Sequence, residues 1–288
     1  HLAHYVLVVE YPATGHRPRN QFWNALEQQF AVMNREGNGE RRFSIYYAPH
    51  DTDTVAGFQE LNELVETDRV AGVIFAAAPH SMRGSPVLAH PGVPRVIIAS
   101  SVETAPDAAR VDLRGQVPMA LRALADQGAK SIALMTAPSL TDLDRFESLV
   151  EGHGLISEPH WQQAIHHNDD PRWVHNLVQL LLHEPKSRRP DGLIIADDNI
   201  VPAATASIVE MGIRVPDELR VVAHANFPDV TTSHVHAIRV GHDAHMVVER
   251  AIDWIDAKRR GETVGNEIPI RAVIRAAHNQ PTAPTQSC

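Results

Sequence analysis

Arg189-Pro190-Asp191-Gly192-Leu193-Ile194-Ile195-Ala196-Asp197-Asp198-Asn199, together with the residues from Ile200 to Pro228, is the stretch that decides the fold. Pro190 breaks the preceding chain. Gly192 to Ala196 is then the short, unbroken apolar run that a strand buried on both faces requires. Two carboxylates and an amide, Asp197-Asp198-Asn199, stand where that strand ends. From Ile200 to Met211 the residues Ala203, Ala204, Ser207, Ile208 and Met211 share one side at helical spacing. Gly212 stops that helix, because a left-handed cap costs glycine little. Val215-Pro216-Asp217-Glu218 predicts a turn, and Leu219 to Ala225 the next buried strand. Strand, helix and strand form a right-handed βαβ unit whose ligand-facing residues sit at the strand C-terminal ends. Asp197 and Ala225-Asn226 are therefore expected on one rim.

The same alternation extends in both directions. Tyr5 to Val9, Phe43 to Tyr47, Val70 to Ala76, Pro94 to Ala99 and a short run ending at Val111-Asp112 read as strands. Helices are expected from the 3.6-residue spacing of Phe22, Leu26, Phe30 and Met33, from Thr54 to Glu66, and from Gln116 to Asp126. The pattern then restarts with a strand at Ser131 to Thr136 and helices at Asp142 to Glu151 and Trp173 to Glu184. Solid apolar strands alternating with helices predict doubly wound parallel sheets. A length of 288 residues leaves room for two such lobes. After Asn226 a strand is expected at Ala237 to Val240, a helix at Ala244 to Arg259 and a last strand at Ile268 to Arg275. The residues from Ala276 on, rich in Pro, Thr and Gln, read as a tail.

Composition narrows the function. With 43% hydrophobic and 21% charged residues the chain is of ordinary globular type. A formal net charge of −9 argues against this chain gripping a polyanion by itself. Its one cysteine, Cys288, excludes an intrachain disulfide. No apolar run reaches the ~20 residues of a membrane span, and no signal-peptide pattern opens the sequence, so the expectation is a soluble, cytoplasmic chain.

The residues Asp191-Gly-Leu-Ile-Ile-Ala-Asp-Asp198, followed by Gly212-Ile-Arg-Val-Pro216-Asp-Glu-Leu-Arg-Val-Val222, resemble the LacI/GalR family of transcriptional regulators. That family carries a strand ending in Ala-Asn-Asp, a helix leading to Gly-x-x-Val-Pro-x-Asp, and a strand ending in Val-Val-Gly-(aromatic)-Asp-Asp. The resemblance runs from about His4 to Arg275. It implies a periplasmic-binding-protein-like type I fold, two α/β lobes with a ligand cleft between them and three chain crossings acting as a hinge. The expected N-terminal lobe is 4–128 plus 243–265, the C-terminal lobe 129–240 plus 266–276, and the tail 277–288. It further implies an effector-sensing homodimer that takes a sugar or related metabolite. DNA would be reached only through an N-terminal module that does not precede Tyr5.

The resemblance also places residues. Arg145 matches the family arginine whose guanidinium fork holds effector oxygens, with Ser148 where the family has glycine. A surface arginine on an acidic helix face is the alternative. Asp112 matches a family aspartate at the lobe edge, or caps the following helix. Asp197 stands where the family has asparagine, replacing a donor-acceptor amide by an acceptor. Asp198 matches the family aspartate and is expected to cap the helix beginning near Ile200. The family's ligand-binding aspartate falls on Ala225, with Asn226 as a substitute, and His242 falls where the family often has glutamine. Tyr11, Phe22 and Ser101 (of the Ser100-Ser101 pair) fall at the rim of the first lobe, Phe22 equally at the start of an apolar stripe. These departures leave a changed ligand or a degenerate pocket as the two readings.

The 18 histidines include the pairs His166-His167, His234-x-His236 and His242-x-x-His245. Zinc needs three or four converging ligands, and these spacings do not supply them, so neither metal nor cofactor is expected. Gly-x-Ser-x-Gly, P-loop, Gly-x-Gly-x-x-Gly and His-Glu-x-x-His patterns are all missing, so no enzyme is expected. The rival reading is a periplasmic-type sugar-binding protein of a transporter, which shares the fold.

Overall fold

The computed structural model describes residues 2–11, 20–37, 39–49, 58–98, 105, 107–138, 143–166 and 170–275. They fall into two units. One draws on 1–114, 226–229 and 242–272, the other on 115–225, 230–241 and 273–288.

The first unit is built on a six-stranded sheet of order β11-β5-β4-β3-β1-β2. Its strands are β1 (Ala3–Tyr11), β2 (Arg41–Pro49), β3 (Gly72–Phe75), β4 (Arg95–Ile97), β5 (Ala109–Arg114) and β11 (Glu267–Arg271), and every pairing is parallel. Both faces of β1 are buried. Tyr5, Leu7 and Val9 face a core shared with α1 (Gln21–Glu36) and α8 (Ala244–Arg259), while Val6 and Val8 face α2 (Gln59–Glu66) and α3 (Pro86–Ala89). This two-sided burial is why the strand reads as an unbroken apolar run rather than an alternation. A Cβ on Gly72 would lie 2.6 Å from Ile255 Cγ2, so α8 seats directly on β3. The Tyr5 hydroxyl donates to Asp256 on α8, and burial together with that carboxylate pushes its pKa up to about 12.

The second unit repeats the plan with the order β12-β10-β9-β8-β6-β7. The strands are β6 (Ile132–Thr136), β7 (Gln162–Ala164), β8 (Gly192–Ile195), β9 (Arg220–Phe227), β10 (Ile238–Asp243) and β12 (Val273–Arg275). β6, β7, β8 and β9 pair in parallel, and β12 runs antiparallel to β10. On one face α6 (Pro171–Leu182) and α7 (Val201–Glu210) pack over Ala133, Met135, Leu193, Ile195, Val221 and Ala223. On the other lies α4 (Gln116–Asp126), followed in the chain by α5 (Leu143–Gly152). Leu124 of α4 lies 3.4 Å from where a Cβ on Gly192 would stand. Asp191 fixes the entry to β8, its Oδ1 accepting from the N–H groups of Lys130 (2.9 Å) and Ser131 (2.8 Å). Gly212 follows α7 with φ +68°, the left-handed exit expected of it.

Residues 226–229, expected in the second lobe, belong to the first unit, and the boundaries also differ from the expected division in two longer stretches. The chain changes unit at Gly115, not after residue 128. Gly115 turns with φ +88°, and the buried Ala120, Leu121, Ala123 and Leu124 carry α4 onto the second sheet. The stretch Ile268 to Arg275 is not one strand of the second lobe. It is β11, whose Ile268 and Ile270 bury in the first core, then a break at Ala272, then β12 in the second sheet. β9 also runs to Phe227, two residues beyond the expected end at Ala225. The expected tail, 277–288, lies outside the described residues.

Candidate functional site

In a doubly wound sheet, ligands bind beyond the carboxyl ends of the strands, where the connections diverge to opposite sides. In the second unit that point lies between β6 and β8. β6 ends there at the buried Thr136, and β8 runs out into Ala196, Asp197 and Asp198. Both carboxylates are almost wholly buried, at 4% and 2% exposure. Asp197 folds back on its own loop, its Oδ1 accepting from the backbone N–H (2.9 Å) and the side-chain amide (2.6 Å) of Asn199. Beside it the Gln116 amide donates to the Ala196 carbonyl at 3.2 Å.

The residue at the N-cap of α7 is Ile200, which makes no side-chain capping bond, and the Asp198 carbonyl lies 3.3 Å from the Val201 nitrogen. The Asp198 carboxylate is turned to the β9 residue His224, Nδ1 to Oδ1 3.9 Å. Arg239 of β10 is buried close enough to feel the same charge. Burial lowers the arginine pKa, and Asp198 opposes that shift. The guanidinium also donates to the Thr231 carbonyl at 2.8 Å. Asp198, His224 and Arg239 thus lie together in the second sheet, the carboxylate 3.9 Å from the imidazole and favouring the arginine's charge. A charge this deep persists only when paired. Sequence reading did not single out His224 or Arg239. The available signal was a polar residue interrupting each apolar run, at Val222-Ala-His-Ala and Ala237-Ile-Arg-Val.

Next on β9, Ala225 and Asn226 are both buried, at 0% and 1% exposure. A Cβ on Gly241 would fall 1.8 Å from the Ala225 carbonyl oxygen, so only glycine lets β10 lie this close to β9.

In the first unit His242 is buried at 2% exposure, with Nε2 3.4 Å from the Arg114 carbonyl. Burial lowers its pKa, and that carbonyl opposes the shift. The same carbonyl accepts from the Ala272 N–H at 2.8 Å. Three points where the chain leaves or enters this unit are therefore gathered on one oxygen. Asp112 is half-buried in an ion network. It pairs with Arg114 and lies 3.8 Å from Arg110, and both arginines reach Glu267 of β11, at 3.0 and 2.8 Å. It caps nothing, because the helix after it starts from Gly115 with no side-chain cap. Phe22 packs half-buried against the core beside Trp23 and Met33, which favours its core reading. Arg145 is exposed on α5. Tyr11 closes β1 opposite Pro49, while its side chain, and Ser101 entirely, lie outside the described residues.

Among the described residues no three His, Cys, Asp or Glu side chains converge as a metal site, and no helix is long and apolar enough to cross a membrane.

A sequence model of the periplasmic binding protein-like domain family matches residues 121–277. The chain is 26% identical over 168 residues to the HTH-type transcriptional repressor PurR of Aliivibrio fischeri, covering 54% of this chain and 49% of that protein. It thus spans about half the length of the curated relatives it matches. Its fold is similar to a LacI-family regulatory protein from Chloroflexus aggregans, with TM-score 0.70 and 16% identity over 94% of this chain and 97% of that one. A LacI-family regulator from Lactobacillus casei with bound glucose aligns with TM-score 0.65 and 17% identity, over 94% and 98% of the two chains. With the family matched over more than half its length, and with these relatives, the chain belongs to the periplasmic binding protein-like domain family, as a LacI/GalR-type effector-binding domain.

Proposed function

We propose that this chain is the sensor of a cytoplasmic LacI/GalR-like transcriptional regulator, acting as a homodimer and not as a catalyst. Its effector is a small polar metabolite of the sugar class, and DNA is contacted only through a separate module. The observation that carries this reading is the pair of buried carboxylates at the end of β8, at the switch point of a doubly wound sheet. The glucose bound by the Lactobacillus casei regulator supports the ligand class. Asp197, Asn226, Arg145, His242, Asp112, Tyr11 and Ser101 are the residues proposed to touch the effector. The two lobes are proposed to close on ligand about the crossings. A ligand shifts such an equilibrium only through its differential affinity for the two states.

Thermal unfolding against sugars, sugar acids, polyols and purines tests this. A compound at a hundred times its dissociation constant stabilises by ~2.7 kcal/mol, a melting shift of several degrees. The expected result is a shift in wild type that Arg145→Ala and Asp197→Ala both remove. A shift that survives both substitutions would move the site elsewhere, and no shift with any compound would sink the sensor reading.

A further inference from the structure

We propose that Arg42 and Arg69, with the hydroxyl of Ser44, hold a phosphate-type oxyanion at the outer edge of the first sheet, where its strands begin. β2 is an edge strand of that sheet. Successive residues of a strand point to opposite faces, so Arg42, Ser44 and Tyr46 share one side and Arg41 and Phe43 the other. On the latter side Phe43 joins the core and Arg41 reaches Asp256 at 2.9 Å. On the former, the parallel register sets His4 of β1 beside Arg42, and Ser44 Oγ lies 2.8 Å from His4 Nε2. Arg69 comes to the same place from the turn between α2 and β3. Two residues on, the Ala71 N–H donates to the His4 carbonyl at 2.6 Å.

Both guanidinium groups are exposed and act on one spot. The buried His4 has its pKa lowered by burial and then by Arg42. The charge of Arg69 acts in the same sense, while its backbone opposes the shift. Both arginines also act on Tyr46, whose hydroxyl donates to Glu60, so a carboxylate closes the site on that side only. Among the described residues neither guanidinium meets a carboxylate. Arg69 Nε is directed to the Thr67 hydroxyl at 3.1 Å, which leaves its two terminal nitrogens for a ligand. Two cations gathered at one imidazole repel each other, and an anion between them turns that repulsion into two attractions. The planar fork of arginine matches the oxygens of a carboxylate or a phosphate. Two forks call for the phosphate, whose tetrahedral oxygens and double charge serve both at once. Ser44, which can donate or accept, lies between them. A chain of net charge −9 repels anions at a distance, so an anion retained here is retained by these contacts.

The His4 ring proton resonance of the whole chain, assigned by its loss in His4→Gln, tests the site. Inorganic phosphate and glucose 6-phosphate are titrated in turn, with ionic strength held constant by chloride. Wild type is expected to show a saturable shift, and a His4 titration midpoint that rises once phosphate offsets the two cations. Arg42→Gln and Arg69→Gln should each weaken binding by at least about tenfold, as loss of a charged hydrogen bond implies, and together abolish it. Arg42→Lys, which keeps the charge and loses the fork, should fall between wild type and Arg42→Gln, and remains readable if the double variant misfolds. Arg35→Gln removes an exposed arginine elsewhere and should leave binding unchanged. A response to the sugar phosphate but not to inorganic phosphate supports the site and shows that the ligand brings more than its phosphoryl group. No saturable shift with either compound overturns the proposal. So does binding that survives both substitutions, or that falls equally with Arg35→Gln. A shift with duplex DNA and with neither small compound also overturns it, and gives the two arginines to a polymer instead. A sugar phosphate taken up at the strand ends of the second sheet would raise the melting temperature without moving the His4 resonance, so the effector reading stands or falls separately.

Discussion

The two sheets share one strand order and differ in what stands at their strand ends. In the first, Val70-Ala-Gly-Val-Ile-Phe75 leads through β3 into Ala76-Ala77-Ala78-Pro79. In the second, Pro190-Asp-Gly-Leu-Ile-Ile195 leads through β8 into Ala196-Asp197-Asp198-Asn199. Each strand opens on a glycine beneath a packed side chain, Ile255 over Gly72 and Ile132 over Gly192, both 2.6 Å from where a Cβ would stand. The shared part is packing, set by burial on both faces. The difference is chemistry, and it is confined to a few residues just past the strand. Fold and site are thus written in adjacent but separable stretches of sequence.

The sharpest way to break the parallel is at a third glycine. Gly241→Ala in β10 would drive a Cβ into the Ala225 carbonyl at 1.8 Å, and a backbone atom cannot move aside as a side-chain tip can. We expect loss of cooperative unfolding, or destabilisation well beyond the ~1–3 kcal/mol of ordinary overpacking. Urea denaturation reads it. A midpoint within experimental error of wild type would mean that β9 and β10 do not approach this closely.

Next in size is the group of Asp198, His224 and Arg239 in the second sheet, whose carboxylate and guanidinium are buried, whereas the ion network of Asp112, Arg110, Arg114 and Glu267 in the first is half-buried or exposed. Asp198→Ala removes the carboxylate that favours the charge of the buried Arg239, and a loss of stability is expected. Arg239→Met in the same chain should restore much of it, since an apolar replacement of a buried pair is often close to neutral. A double-mutant cycle on unfolding free energies decides. Strict additivity of the two losses would show that the residues do not interact.

The matched glycines give a smaller effect and a direct test of likeness. Gly72→Ala and Gly192→Ala each press on the side chain of an isoleucine, so each should cost ~1–3 kcal/mol, and by similar amounts. A large cost at one and none at the other would mean that the two sheets are held by different packing despite their common order.

How much of this was legible depends on range. Gly192 to Ala196, Gly212 and the βαβ unit around them could be read because burial on both faces and a left-handed exit leave local marks. The division at Gly115 could not. Whether Gln116–Asp126 belongs to the strand before it or the sheet after it depends on the partner of Leu124, which is Gly192, far along the chain. The break at Ala272 was hidden for the same reason, because β11 and β12 are both short and apolar yet pair with strands of different sheets. At the site, Asp197 and Asp198 were visible as a pair past a strand, but their partners were not. Asp197 organises the turn and Asp198 faces His224 and Arg239, residues that a linear pattern registers only as interruptions. Of the two readings open for Asp112, the cap rested on capping being local, whereas its partners include Glu267 through Arg110 and Arg114.

The smallest expected effect concerns the crossings and depends on pH. His242 has its pKa lowered from the ordinary 6.5, chiefly by burial. As pH falls through about 6.5 the unfolded chain therefore takes up a proton that the folded chain refuses, and stability drops from there toward the depressed folded value. His4 is shifted the same way, by burial and then by Arg42, so a part of the slope belongs to it. His242→Gln keeps a donor for the Arg114 carbonyl and removes the titration. The expected result is a smaller loss of melting temperature between neutral and mildly acid pH than in wild type, with His4→Gln removing a further part. An unchanged pH slope in His242→Gln would mean that this ring is protonated as readily folded as unfolded, and that its contact with Arg114 survives ionisation. Since that carbonyl also accepts from Ala272, a loss at neutral pH in the same variant would locate the weakness in the gathering of the three crossing strands rather than in either sheet.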